Sequence, residues 1–123
     1  MAEPATPVRL NEKFAQFDEH WSPKIVAEAN GWHIKLVKVL GEFVWHSHAD
    51  VDEVFWVIDG TLTIRLQDRP EVQLAAGDVF VVPRGLPHQP VAEQECRIAL
   101  LEPAGVVNTG GSGGELTAKD SWL

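Results

Sequence analysis

This chain has to turn often, and that limits its fold more than any other feature. Turn signals at Asn30-Gly31, Asp59-Gly60, Arg69-Pro70, Ala76-Gly77 and from Pro83 to Pro87 leave only short stretches between them. The stretches are "KIVAEAN", "WHIKLVKVL", "EVFWVI", "TLTIRLQ", "EVQL", "DVFVV", "HQPVA" and "CRIALLE". Each is rich in the branched and aromatic residues that suit a pleated sheet. Asn-Gly and Asp-Gly favour two-residue hairpin turns, where the central residues need positive φ. In the second stretch His33, Lys35 and Lys38 mix with Ile34, Leu36, Val37 and Val39, the rough alternation of a half-buried strand. Many short strands with close turns predict an all-β antiparallel sandwich or small barrel.

The flanks read differently. "LNEKFAQF" spaces Leu10, Phe14 and Phe17 three to four apart, which predicts a short helix capped by Asn11. A helix that short must pack on something larger. Residues 1–8 are rich in Pro and Ala and read as a loose arm, and "NTGGSGGE" reads as a flexible linker. The organisation expected is an arm and short helix over 1–23, a barrel over 24–107 and a flexible tail over 108–123. At 123 residues, 45% hydrophobic and 23% charged, one ordinary globular domain is expected. No apolar run is long enough to span a bilayer, and "MAEPATPV" lacks the basic and apolar parts of a signal peptide, so the expected location is the cytoplasm. Cys96 is the only cysteine. That excludes an intrachain disulfide and a thiolate metal cluster, and its strand-like surroundings make it a small core residue. A net charge of −8 without clustered Lys or Arg disfavours nucleic acid as a partner.

The chemistry concentrates in "WHSHADVDE". Residues two apart on a strand point to one face, so His46 and His48 project together, about 6.5–7 Å apart at their α-carbons. Two imidazoles at that separation can converge on one ion at about 2.0–2.1 Å each. Glu53 follows a short bend and opens the next strand, where its carboxylate can return beside the rings. His88 is the candidate fourth ligand, delivered by the stiff "PRGLP" loop. Mixed nitrogen and oxygen donors suit one divalent transition metal: Fe, Mn, Ni, Cu or Zn. Phe55 and Val57 share Glu53's face and are expected to line the pocket.

The run Gly41, "EFVW", His46-Ser47-His48, "ADVD", Glu53, "VFWVID", Gly60 resembles the first motif of the cupin superfamily. Gly77, "DVFVV", Pro83-Arg84-Gly85, "LP", His88, "QPV", Ala92 resembles the second. The two motifs stand in the family's order and spacing, and the chain is similar to its small single-domain members. The spacer before His46 is one residue shorter than usual, and Ala92 replaces the usual Asn, which is not a metal ligand in the family. The resemblance implies a double-stranded β-helix, or jelly-roll, barrel holding one metal on His46, His48, Glu53 and His88. It also implies a homodimer, with "LNEKFAQF" and "KIVAEAN" as candidate contacts. Such short cupins are often labelled mannose-6-phosphate-isomerase-like, a label of fold and not of substrate.

The function expected is a metal-dependent enzyme of dioxygenase, isomerase or lyase type acting on a small polar molecule in the barrel. The alternative is a non-catalytic small-molecule or metal-binding sensor or accessory domain. Asp50, Asp52, Arg65 and Arg84 are read as solvated, His20 and His33 as ordinary, and Trp45 and Trp56 as packing residues.

Overall fold

The computed structural model describes residues 5–123. Asn30 (φ 54°) and Gly31 (φ 77°) both take positive φ and join β1 (Lys24–Ala29) to β2 (Trp32–Glu42) in the hairpin their pairing predicts. Asp59-Gly60 does otherwise. β3 (Glu53–Asp59) and β4 (Thr61–Leu66) do not pair with each other; each pairs with a different part of β7 (His88–Pro103). The dipeptide is a corner where the chain changes partners, not a hairpin. Gly60 sits at φ 93°, and a Cβ there would stand 3.2 Å from Cys96 Cα. Backbone strain and crowding act together at this point, so Gly60→Ala is expected to destabilise the fold by about 1–2 kcal/mol, measured by denaturant unfolding.

Two further expectations shift. The turn placed at Arg69-Pro70 falls instead at Gln67–Asp68, where Asp68 takes φ 56°. Pro70 then lies in β5 (Arg69–Ala75), which pairs only with β4, so its missing N–H costs nothing at an edge. "HQPVA" and "CRIALLE" are one strand, the 16-residue β7. No Gly or Pro lies between them, and β7 has partners on both sides of an unpaired, exposed stretch at 93–95. β4 takes its start (Leu66↔His88), β3 its later part (Phe55↔Leu100), and β2 runs along most of it. β6 (Val79–Val82) pairs with β3. With β8 (Ser121–Trp122) the strand order is β5-β4-β7-β2-β1-β8, with β3 and β6 branching from β7. The result is the all-β jelly-roll barrel.

Side-chain alternation builds two cores. Val37 and Val39 of β2, Phe55 and Val57 of β3, and Ile98 and Leu100 of β7 fill the barrel interior. Leu36 and Ala99, out of phase with them, face outward and are covered by Phe14 and Phe17. The helix α1 (Leu10–Phe14) is shorter than the predicted segment and starts before Asn11, so Asn11 is not its cap; Arg9 holds that position with no side-chain cap bond. It persists because Phe14 is fully buried, a gain of roughly 1.5–3 kcal/mol. The expected arm lies partly outside the described residues.

Residues 108–123 lie against the barrel. Asn108 Nδ2 donates to Trp21 O (3.1 Å) and Leu116 O (2.8 Å), and its Oδ1 accepts from Ala118 N (3.0 Å). Thr109 is fully buried and hydrogen bonded to Thr117, and β8 pairs in parallel with β1. Of the glycines that suggest a linker, Gly110 serves close packing. Gly110 has φ 60°, and a Cβ there would overlap the Ser47 carbonyl oxygen. No helix among the described residues is long and apolar enough to cross a membrane.

Candidate metal centre

His46 and His88 come together through backbone pairing. His46 N donates to His88 O (3.0 Å) and His88 N to His46 O (2.9 Å), an isolated antiparallel bridge across the barrel wall. Each ring is then fixed locally. His46 Nδ1 donates to Val44 O and His88 Nδ1 to Leu86 O, both at 2.9 Å, which leaves each Nε2 as an unprotonated donor for an ion. The ring centroids stand 4.2 Å apart, and His48's lies 5.0 Å from that of His46. Glu53, the first residue of β3, reaches both remaining rings: Oε1 is 3.3 Å from His88 Nε2 and Oε2 3.4 Å from His48 Nε2. All four residues are buried, and one ligand atom from each lies within 4.8 Å of all the others. Two ligands on one metal stand up to about 4 Å apart, so this set is close to a coordination shell.

The electrostatics fit a cation. Burial, then the neighbouring His88, lowers His46 to about 4, so its ring is neutral at pH 7. Burial opposes the charge on Glu53, yet the His48 and His88 rings beside it outweigh burial and hold the carboxyl below its ordinary range. Neutral imidazole and ionised carboxylate are the forms a metal binds. His48 Nε2 is buried with no hydrogen-bond partner. Such an atom costs roughly 1–3 kcal/mol unless something meets it. A cation at the shared centre would do so.

A second polar layer, missed in the sequence, lies behind Glu53. Lys35 is fully buried; its Nζ donates to Glu102 Oε1 (2.9 Å) and to Asp120 Oδ2. Burial, then the Glu53 carboxylate, pushes Glu102 up to about 9, so it carries a proton at neutral pH, and its Oε2 is buried without a hydrogen-bond partner. Lys35 stays charged: burial disfavours its ammonium form, but Glu102 and Asp120 together overcome that. The signal for two of these residues was present. Lys35 is in phase with inward-facing Val37 and Val39, and Glu102 with Ile98 and Leu100. Nothing local marked Asp120.

Beside the four donors lies a void of about 30 Å³, bounded by Trp21, Phe43, Phe55, Leu100 and Asn108, with His46 and Glu53 on one side. Phe55 lines it as expected. Val57 does not: it lies two residues further along β3, fully buried against the barrel core. Trp45 and Trp56 are 47% and 38% exposed, outside the barrel core. Asp52 accepts from Arg84 N (2.8 Å) and Nε (3.3 Å), and Arg65 pairs with Glu42 (2.7 Å). His20 pairs with Glu95 and His33 with Glu28. Burial, then Asp59, raises the Cys96 thiol to about 11, leaving it an inert core group.

Comparison with known proteins places these features. The Cupin domain family matches residues 35–102. The cupin-2 domain containing protein from Shewanella frigidimarina has the same fold, with TM-score 0.76 and 51% identity over 78% of this chain and 93% of that one. Bacillus subtilis YdbB, described as uncharacterized, is 34% identical over 80 residues, a match spanning 65% of each chain. The hydroquinone 1,2-dioxygenase PnpCD, solved in complex with Fe3+, shares the fold at TM-score 0.72 and 19% identity, over 78% of this chain and 32% of that one.

Proposed function

The chain belongs to the cupin family, and from that premise we propose that His46, His48, Glu53 and His88 hold one divalent transition metal with which the barrel acts on a small molecule. The observation that carries this reading is the unpartnered, buried His48 Nε2 facing Glu53 beside two rings whose Nδ1 atoms are already engaged. Three nitrogen donors and one oxygen donor suit Fe, Mn, Ni, Cu or Zn. The bound ion would supply a Lewis acid or an oxygen-activating centre with a coordination position open to a ligand.

The chain's own residues do the rest. The Val44 and Leu86 carbonyls fix two ring tautomers, and Glu53 brings the negative charge. Among the residues lining the void, the titratable ones are His46 and Glu53, both ligands here. The site therefore suits chemistry at the metal over proton shuttling between two side chains. The same observation favours the second reading, a binding barrel without catalysis.

Metal analysis of the purified protein tests the proposal. Wild type is expected to retain one equivalent of transition metal, and His48→Ala to fall to a small fraction of that with its far-UV circular dichroism unchanged. Equal metal in the two proteins would sink the assignment.

A further inference from the structure

The void beside the donors is almost wholly apolar, and its few polar groups are already engaged. Trp21, Phe43, Phe55 and Leu100 form most of its wall. Trp21 stacks on Phe43 with centroids 4.6 Å apart, donates Nε1–H to Leu40 O (2.9 Å) and holds φ 58° to do so. A residue kept in that strained conformation by stacking and a hydrogen bond is a built wall, not a loose one. Asn108, the one uncharged polar side chain there, uses both amide hydrogens and its oxygen within the chain.

No lysine or arginine lines the void. The nearby cations are committed elsewhere: Lys24 to Glu19, Lys35 to Glu102 and Asp120, and Lys38 to Phe17 O. Beyond the donors, a phosphate or sugar acid would find no lysine or arginine along the wall, and its oxygens turned away from the ion would lose water against apolar side chains. Each hydroxyl of a polyol would lose water and find no partner, at roughly 1–3 kcal/mol apiece.

We propose that this site takes a small uncharged molecule with an apolar body and one oxygen donor, and rejects sugars, sugar acids and phosphates. This rests on the metal reading only for the oxygen donor; the apolar wall stands without it. The void is far smaller than the roughly 150 Å³ that takes a benzene ring. It seats the reacting end of a small ligand. Two outer recesses of about 480 and 390 Å³ share Gly105, Val106 and Val107, the residues just before Asn108, in their walls.

The test uses the full chain, metal-free and loaded with Co(II), with 4-fluorophenol as the apolar probe and glucuronate and inorganic phosphate as polar ones. Saturable 19F line broadening by 4-fluorophenol is expected, with a shift of the cobalt absorption bands that glucuronate and phosphate do not produce. Val37→Thr, which adds a hydroxyl to the wall away from the donors, is expected to weaken 4-fluorophenol binding on the order of tenfold with cobalt uptake unchanged. Bands that move with glucuronate or phosphate but not with 4-fluorophenol overturn the inference, as does equal probe affinity in Val37→Thr. Cobalt uptake without probe binding overturns it too and leaves the metal reading standing. Probe binding without cobalt uptake does the reverse.

Discussion

Lys35→Met is expected to destabilise the folded chain by about 3–5 kcal/mol, a large share of the roughly 5–15 kcal/mol that holds a domain of this size. Lys35 is fully buried between Glu102 and Asp120. Methionine keeps most of the side-chain volume, so the loss reports charge and not a cavity. What remains is a buried carboxylate on Asp120 and a Glu102 whose Oε1 has lost its donor. Guanidinium unfolding of the metal-free protein measures the loss. The triple change Lys35→Met, Glu102→Gln and Asp120→Asn is expected to recover most of the loss, since it leaves no unpaired charge. A single variant as stable as wild type would show that the triad contributes nothing.

Acid is expected to weaken the metal-free protein well before ordinary carboxylates titrate. Burial first, and then His88, lowers His46 from 6.5 to about 4. The unfolded chain therefore binds a proton at this residue over a range where the folded chain does not. Its contribution is fully present above pH 6.5, declines as pH falls from 6.5 to 4, and changes no further below that. Each pH unit in the window costs about 1.4 kcal/mol, so the whole loss is about 3 kcal/mol. Glu53, held below its ordinary 4.5, acts in the same direction from lower pH, its stabilisation being lost as pH falls below that value. Denaturant unfolding at a series of pH values reads the slope. In His46→Gln the decline between pH 6.5 and 4 is expected to flatten; an unchanged slope would assign the acid sensitivity to another group.

Much of the site was legible because its signals are local. His46 and His48 face one way because strands alternate, Glu53 opens the next strand after a short bend, and a proline-bounded loop sets His88 at the start of β7. The Asn30-Gly31 hairpin was legible for the same reason, since two residues with positive φ fix it. Asp59-Gly60 carried an equally strong signal and turned out to be a corner. A dipeptide specifies its own dihedrals but not which strands its neighbours join. The two stretches "HQPVA" and "CRIALLE" form one strand, β7, that runs through the exposed and unpaired "EQE" between them. Local composition does not show whether a strand continues through such a stretch.

Alternation and turn chemistry by themselves pointed to antiparallel strands and set His46 and His48 on one face, with Glu53 opening the next strand. Only the tertiary structure decided that Lys35, Glu102 and Asp120 meet behind Glu53, that the glycine-rich end closes over the barrel, and that the space beside the donors is small and apolar. The reason is one of range. A residue's neighbours along the chain set the direction it faces, but what it faces comes from segments dozens of residues away, brought there by strand pairing that no short stretch encodes.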